Sequence, residues 1–164
     1  MTSSDSQQDR TRRIIEIKLD EASIGAHSAE VDHERQVAIF DILENNDFAL
    51  EDGGAGPYKL RLAIVEKRLA FEISGEDGAP LTTHLLSLTP FSRLIKDYFM
   101  VCESYYEAIR TAPPSRIEAL DMGRRALHDE GSNILMERLA RKVTLDFDTA
   151  RRLFTLICVL HWKG

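Results

Sequence analysis

The longest amphipathic pattern in the chain lies in residues 89–112. At about 100° per residue, its apolar side chains fall on one side of a helix and most of its charged side chains on the other. Thr89 suits an N-cap and Pro90 the first helical position, whereas Pro113 and Pro114 cannot continue a helix. This pattern predicts a helix whose apolar stripe is covered by a sheet or by other helices. The apolar members are Phe91, Leu94, Ile95, Tyr98, Phe99, Val101, Cys102, Tyr105, Tyr106 and Ile109.

Residues 58–74 predict a β-hairpin. With a two-residue turn at 66–67, apolar residues pair across the two strands on one face, and Arg61 lies opposite Glu72 on the other face. Apolar pairs toward a core and an opposite-charge pair toward water are what the correct register should give. The predicted apolar pairs are Leu60 with Ile73, Leu62 with Phe71, and Ile64 with Leu69.

Two further segments have strand patterns. Residues 13–20 alternate, with Ile15, Ile17 and Leu19 on one side. Residues 81–88 form a third pattern and lead directly into the long amphipathic helix. Together with the hairpin, these segments predict a largely antiparallel sheet with one apolar face.

The first helical pattern precedes the hairpin, in residues 29–46. Ile39, Phe40 and Leu43 share one predicted face, and Ile42 lies at its edge. This face is expected to pack against the sheet or against other helices.

The segment that follows Pro114 begins with a capping box, in which Ser115 is the cap and Glu118 lies three residues on. Gly131 predicts the end of this helix, and His128 lies in its last turn, where a cation or donor is favoured.

The remaining chain predicts three short elements. Residues 133–141 predict a shorter helix, residues 143–147 a brief strand, and Asp148 the cap of a final helix. The predicted buried face of that helix consists of Ala150, Leu153, Phe154, Ile157 and Leu160.

These elements predict an α+β fold, in which a small antiparallel sheet of three to four strands is packed on one face by four to five helices. Residues 12–164 are expected to form a single domain, because a chain of 164 residues suffices for one core. Residues 1–11 are predicted to be a disordered leader.

Composition limits the class of protein. Hydrophobic residues make up 43% and charged residues 29%, which excludes global disorder. No apolar run approaches the ~20 residues of a membrane span, and the polar N-terminus has no secretory apolar segment. The two cysteines lie far apart in apolar patterns, which favours a reducing cytoplasm over a disulfide framework.

The net charge of −6 argues against generic nucleic-acid binding, but it is unevenly distributed. Residues 110–164 contain ten Lys and Arg against seven Asp and Glu, a balance of +3. Residues 1–109 contain eleven against twenty, a balance of −9. Either the two parts attract each other within one fold, or a basic helical surface meets an anionic partner.

The candidate catalytic groups all have plainer interpretations. Cys102 lies in the middle of an apolar stripe, which predicts a core residue, whereas a nucleophile needs a base and a lowered pKa. Glu103 and Glu107 lie four residues apart, and Arg110 offers an ordinary surface partner. The histidines do not cluster at metal-ligand spacing. No catalytic residue, metal or cofactor is predicted.

The final helix provides the pattern most typical of a binding surface. Arg151, Arg152, Thr155 and Trp162 fall opposite its apolar face, together with Val159. Trp and Arg are enriched in interaction hot spots, which favours a partner- or anion-binding face. The alternative is a sandwiched helix, whose tryptophan covers another element and whose arginines pair with Asp or Glu from the N-terminal part of the chain.

The chain also resembles a known family. The segments that carry the resemblance are RIIEIKLDEASIG, HLLSLTPFSRLIKDYFMVCESYYEAIR, LDMGRRALHDEGS and FDTARRLFTLICVLHWKG. They are similar to an uncharacterised bacterial family, found mainly in alphaproteobacteria, that carries only a UPF (uncharacterised protein family) label. The resemblance extends from about residue 12 to residue 164. It implies a single-domain bacterial protein without an assigned activity, and it transfers no catalytic residue.

Two functional hypotheses follow. The first is a non-catalytic cytoplasmic interaction or regulatory protein that binds a partner through the C-terminal Arg/Trp helix. The second is an enzyme of unrecognised type that acts on an anionic small metabolite through Arg124, Arg125, Arg151 or Arg152. A deep pocket where these arginines converge with a histidine, His84 or His161, favours the enzyme. A flat patch of apolar residues and arginines favours the binding protein.

Overall fold

The structure is a computed structural model that describes residues 10–23 and 29–161. Most of the predicted leader and Trp162 lie outside these ranges. The described residues form six strands and four α-helices, which confirms the α+β class. The strands are β1 (Ile14–Leu19), β2 (Phe48–Leu50), β3 (Tyr58–Val65), β4 (Arg68–Gly75), β5 (Pro80–Ser87) and β6 (Val143–Leu145). The helices are α1 (Ala29–Glu44), α2 (Thr89–Thr111), α3 (Pro114–Leu139) and α4 (Phe147–His161).

The main sheet has the strand order β1-β3-β4-β5. The β3–β4 hairpin has the predicted register at every pair, and β5 continues it in antiparallel order. The prediction of an antiparallel sheet is wrong at β1, which runs parallel to β3. The reason is the connection between them, because α1 and β2 carry the chain back across the fold before β3 begins. The main sheet is therefore mixed.

A second, two-stranded sheet joins β2 to β6 in antiparallel order. The brief strand predicted over residues 143–147 is confirmed as β6, whereas the sequence analysis did not identify β2. A three-residue strand is too short for alternation to reveal it, and it forms because a partner strand lies beside it.

Helix α4 is buried on nearly all sides, because it packs against α1, α3 and the main sheet. The alternative of a sandwiched helix is thus confirmed for its apolar residues. Val159, predicted on the exposed face, is buried. Beyond the first turn, the described residues of α4 that reach the surface are Arg151, Arg152, Thr155 and the terminal His161.

The apolar stripe of α2 is confirmed along most of its length. Buried members include Phe91 and Tyr98, whose rings lie 6.5 Å and 6.3 Å from the Phe154 ring of α4. Near the end of α2, Ile109 is half exposed, and Met100 is exposed on the polar side. Among the described residues, no helix combines the length and the apolar character that a bilayer crossing requires.

The predicted face of α1 is wrong in its details. Ile42, predicted at the edge of that face, is fully buried, and Phe40 is 64% exposed. The buried residues of α1 are Val31, Ala38 and Ile42, so that the helix is rotated from the predicted orientation. The sequence shows which residues are apolar, but the rotation is fixed by the neighbouring α4.

The predicted N-caps of α2 and α4 are also wrong. Leu88 rather than Thr89 is the N-cap of α2, and it makes no side-chain capping bond. At the start of α4, the backbone N–H of Thr149 donates to Oδ1 of Asp146 at 2.9 Å. The cap is therefore Asp146 and not Asp148.

Helix α3 is one continuous helix, although the sequence predicts two. Pro113 is its N-cap, and neither the predicted Ser115 cap nor the predicted stop at Gly131 occurs. Gly131 lies inside the helix and against α4, where a Cβ atom would lie 2.6 Å from Cε2 of Phe154 and closer still to two other ring atoms. The glycine is therefore explained by a close approach of two helices and not by a helix end. His128 consequently lies in mid-helix.

We predict that Gly131→Ala lowers the free energy of unfolding by about 1–3 kcal/mol, because the added methyl group displaces the Phe154 ring. Gly123→Ala is the matched control in the same helix. Its Cβ would meet Val101 at an ordinary 3.9 Å, so the better helix propensity of alanine should add up to about 1 kcal/mol. Urea unfolding of both variants measures the difference, and equal stability of the two would contradict the packing described here.

Candidate functional site

Side chains from four helices surround a cleft of about 600 Å³. Helix α3 contributes Arg124 and Arg125, and α4 contributes Arg151 and Arg152. Helix α1 forms the facing wall, and Tyr98 of α2 is buried at the base. We call this site the arginine cleft. The four arginines singled out in the sequence therefore converge, because α3 and α4 pack side by side.

Arg124 is the most tightly held of the four. Its Nη2 donates to Oδ1 of Asp121 at 2.6 Å, and its guanidinium carbon lies 4.7 Å from the centre of the Tyr105 ring. Nε of Arg125 lies 3.1 Å from the other oxygen of Asp121. One carboxylate thus serves two guanidinium groups, which leaves positive charge at this end of the cleft.

Arg151 and Arg152 are held more loosely. Nε of Arg151 lies 3.5 Å from Oδ1 of Asp129, and both side chains are about half exposed, so this ion pair contributes little to stability. Nη1 of Arg152 donates to the backbone oxygen of Asn45 at 3.2 Å. No carboxylate of the described residues pairs with Arg152. These two guanidinium groups can therefore bind an anion without first losing a strong partner.

The cleft also contains negative charge. Glu34 and Asp41 lie on the α1 wall, and Asp148 lies at the start of α4. The Tyr106 hydroxyl donates to Oε1 of Glu34 at 2.8 Å. Burial, and secondly this carboxylate, raise the pKa of Tyr106, so its proton stays in the hydrogen bond. The arginine cleft thus presents guanidinium groups on α3 and α4 and carboxylates mainly on the opposite side.

His128 joins α3 to α4 at the inner wall of the cleft. Its Nε2 lies 2.8 Å from Oγ1 of Thr155, and the Thr155 hydroxyl donates its single hydrogen to the backbone oxygen of Arg151 at 3.2 Å. The hydroxyl therefore accepts from His128, which places the imidazole hydrogen on Nε2. The other nitrogen, Nδ1, is buried and has no partner among the described residues.

The surroundings of His128 keep its ring neutral. The ring centre lies 5.1 Å from that of Phe154 and 5.5 Å from that of Tyr98. Burial, and then the charge of Arg151, lower the pKa of His128 to about 4. The prediction of a cation or donor in the last turn of a helix is thus wrong in its position and in the charge, because α3 continues past His128 and buries it against α4. As a donor, His128 serves Thr155 of α4 and not the end of its own helix.

The prediction that Cys102 is a core residue is confirmed. Its side chain is 7% exposed, and burial raises its pKa to about 11. It lines a second cavity of about 490 Å³ between α1, α2 and α4, and no histidine of the described residues lines that cavity. A thiol in this environment stays protonated at neutral pH and is a poor nucleophile.

The other candidate residues do not join the arginine cleft. Glu103 and Glu107 lie on the rim of the second cavity, and no group of His, Cys, Asp or Glu in the described ranges has the geometry of a metal site. His84 lies on β5 and His161 at the end of α4, and neither lines the arginine cleft. Trp162, the other residue predicted for this surface, lies outside the described residues.

The α1 wall of the cleft was not predicted from the sequence. His33, Glu34, Val37 and Asp41 line it. His33 and Glu34 precede Val37 by four and three residues, and Asp41 follows it by four. This spacing indicates one helical face, so the sequence contains a signal for a shared surface. The signal for its partner was not, because only tertiary packing brings α1 opposite the arginines.

With the fold and the cleft established, comparison with known proteins identifies the family. Residues 11–163 match the model of an uncharacterised protein family, UPF0262, and the chain belongs to this family. A UPF0262 protein of Rhodopseudomonas palustris (strain TIE-1) is 62% identical over 156 residues, which cover 95% of this chain and 96% of the relative. The relative from Nitrobacter hamburgensis is 59% identical over the whole of both chains. The relative from Mesorhizobium japonicum is 60% identical over 158 residues, 95% of this chain and 98% of the relative. No solved structure matches the chain.

The lowered pKa of His128 predicts a pH dependence of stability. Between pH 6.5, the ordinary value for an unfolded histidine, and about 4, the unfolded chain binds a proton that the folded chain does not. The contribution of the neutral His128 to the free energy of unfolding is thus fully present above pH 6.5. It decreases as the pH falls through this window and levels off below about pH 4.

We predict that the free energy of unfolding of His128→Gln decreases less than that of the wild type as the pH falls from 6.5 to about 4. The reason is that glutamine can donate to Thr155 without titrating. Urea unfolding at several pH values measures both curves. The carboxylates contribute equally to both proteins, so the difference between the curves isolates His128. Parallel curves would show that the imidazole titrates normally in the folded protein.

Proposed function

We propose that the protein is a non-catalytic binding protein that engages an anionic segment of a partner protein in the arginine cleft. The observation that carries this proposal is the convergence of four guanidinium groups from α3 and α4 on one cleft. Arginine binds carboxylate and phosphate groups through directional, charge-assisted hydrogen bonds. A partner segment with Asp, Glu or a phosphorylated residue has the matching chemistry.

The rim of the cleft favours a protein over a free ion. Val37 of α1 lines the cleft and is 44% exposed, and Phe40 lies one turn further along the helix, with an even larger exposed fraction. Exposed aromatic and aliphatic side chains beside arginines are the composition of an interaction hot spot. The carboxylates of the α1 wall would in turn select against a segment that is acidic throughout.

Two buried groups, His128 in the cleft and Cys102 in the adjoining second cavity, support binding without catalysis. His128 is neutral with its donor nitrogen engaged by Thr155, and Cys102 remains protonated near neutral pH. A general acid or base needs a pKa near the working pH, and a thiol nucleophile needs a lowered one. The two free, buried cysteines support a reducing, cytoplasmic setting for this proposal.

We expect the partner to be captured from a cell extract by the wild-type protein and lost by the double variant Arg151→Ala, Arg152→Ala. A hot-spot arginine contributes about 2 kcal/mol or more, so each substitution should weaken binding more than tenfold. The exposed Arg93 on α2 provides the matched control, Arg93→Ala. Trp162→Ala tests the aromatic residue that immediately follows α4.

The captured protein is identified by mass spectrometry, and its affinity is then measured at rising salt concentration. Binding through the arginines should weaken as salt screens the charges. Retention of the same partner by the double variant, or its equal loss in Arg93→Ala, would remove the basis of the proposal.

The second candidate is an anionic small molecule, as ligand or as substrate of an unrecognised enzyme. Two atoms at the cleft favour it, because Nε of Arg124, a donor, and Nδ1 of His128, an acceptor, are buried without a partner in the described residues. An anionic oxygen can accept from Nε of Arg124, whereas Nδ1 of His128 requires a hydroxyl or another donor group of the ligand. Buried polar atoms are usually satisfied, and a bound ligand could satisfy them.

For this candidate we expect pyrophosphate or citrate to raise the midpoint of thermal unfolding. A ligand at 100 times its Kd adds about 2.7 kcal/mol of stability. The shift should disappear in the double variant and persist in Arg93→Ala. Equal shifts in all three proteins would indicate nonspecific salt stabilisation and would exclude the cleft as the binding site.

A further inference from the structure

The main sheet ends in an open edge at β5. Strand β5 pairs with β4 on one side, and no strand of the described residues pairs with its other side. An unpaired edge presents backbone N–H and C=O groups to any strand that approaches. Proteins that remain monomeric usually protect such edges with charged side chains, prolines, bulges or covering segments.

The opposite edge of the same sheet is protected in this way. The register of β1 shifts between Ile14 and Glu16, and the exposed Lys18 follows. The Asn46 side chain accepts from the backbone N–H of Ile14 at 2.7 Å and donates to its backbone oxygen at 3.0 Å. A bulge, a lysine and a side-chain amide therefore close the β1 edge to a further strand.

Strand β5 lacks each of these features along most of its length. Residues 78–92 contain no Asp, Glu, Lys or Arg. The pairing of β5 with β4 is irregular only near Pro80, at the start of the strand. Within the described residues, no side chain hydrogen-bonds to the backbone of β5. Leu85, near the middle of the free part, is 46% exposed.

We infer that β5 is a dimerisation edge, on which the β5 strand of a second copy of this chain pairs in antiparallel order. A two-fold axis perpendicular to the sheet brings β5 against itself and joins the two four-stranded sheets into one. Such self-pairing places identical residues near one another, so any charge on the strand would meet a like charge. Because residues 78–92 contain no Asp, Glu, Lys or Arg, self-pairing of β5 brings no like charges together. A second copy therefore fits this edge better than a charged partner strand.

The outer face of the sheet supports the same pairing. Ala63, Ala70 and Leu85 are paired in one row across β3, β4 and β5, and the two alanines are buried although they lie on the face opposite to the core. A second copy would extend this apolar row beyond Leu85 and cover its exposed side chain. None of these residues lines the arginine cleft, so the inference is independent of the proposed partner binding.

The experiment is a mass measurement by light scattering over a range of protein concentrations. The wild type is expected to have twice the chain mass of 18.6 kDa. Leu85→Lys should yield a monomer with an unchanged circular dichroism spectrum, because it places like charges near the two-fold axis. Val65→Lys is the matched control, since Val65 is 48% exposed on β3 but does not lie at the β5 edge, and it should remain a dimer.

Hydrogen exchange locates the interface. Amides of residues 82–86 should be protected in the wild type and exchange faster in Leu85→Lys. Thr83→Lys, a second exposed position on the same strand, should reproduce the monomer if Leu85→Lys folds poorly. A wild type that is monomeric at every concentration overturns the inference. A dimer that survives both lysine substitutions, or that dissociates equally in Val65→Lys, overturns it as well.

Discussion

The Phe154 ring and the main chain at Gly131 touch where α4 crosses α3, and the rest of the helical layer depends on this contact. The ring lies where a side chain at 131 would otherwise be. It also contacts Phe91 and Tyr98 of α2 and His128 of α3, so that one side chain joins three helices. Helices α3 and α4 can therefore lie this close together only because residue 131 has no side chain. The distance between them also determines whether the arginines of the two helices can share one cleft.

The same packing explains the electrostatics of the cleft. His128 lies between the Phe154 ring and the arginines, where burial and the charge of Arg151 both disfavour protonation. A charged imidazole here would add repulsion to a cluster of guanidinium groups in which Arg124 and Arg125 already share one carboxylate. The arginines can remain close together because the histidine among them is neutral.

Local patterns were sufficient for the β3–β4 hairpin and insufficient for β1, β2 and the helical layer. The hairpin register was predictable because alternation and the Arg61–Glu72 pair act between residues that are close in sequence. The sequence predicts a helix end at Gly131 because glycine is favoured both where a helix ends and where two helices approach closely. Only the position of the partner helix distinguishes these two roles. The parallel direction of β1 depends on where α1 packs, which its weak amphipathic pattern does not show.

Only part of the candidate site was predictable from the sequence. The arginines were found because their residue type is specific and they lie opposite an apolar face. Their convergence, the α1 wall and the buried His128 were not found, because each is a property of helices brought together from distant segments. The burial of α4 on nearly all sides was predicted only as an alternative. Its sequence shows a clear apolar face, and only the neighbouring helices and sheet cover most of the other side.

The burial of α4 limits how this chain could bind a ligand at the cleft in the proposed way. Helix α4 offers only a narrow strip, with Asp148, Arg151, Arg152 and Thr155, and Thr155 is already engaged by His128. A ligand that contacts α4 alone would bury little surface and gain little affinity. In the proposed binding, discrimination between ligands would therefore come from α1 and α3, which supply most of the carboxylates, the exposed apolar residues and the more tightly held arginines. Under that proposal, substitutions on α1 would change which ligand binds, whereas substitutions on α4 would change whether any ligand binds.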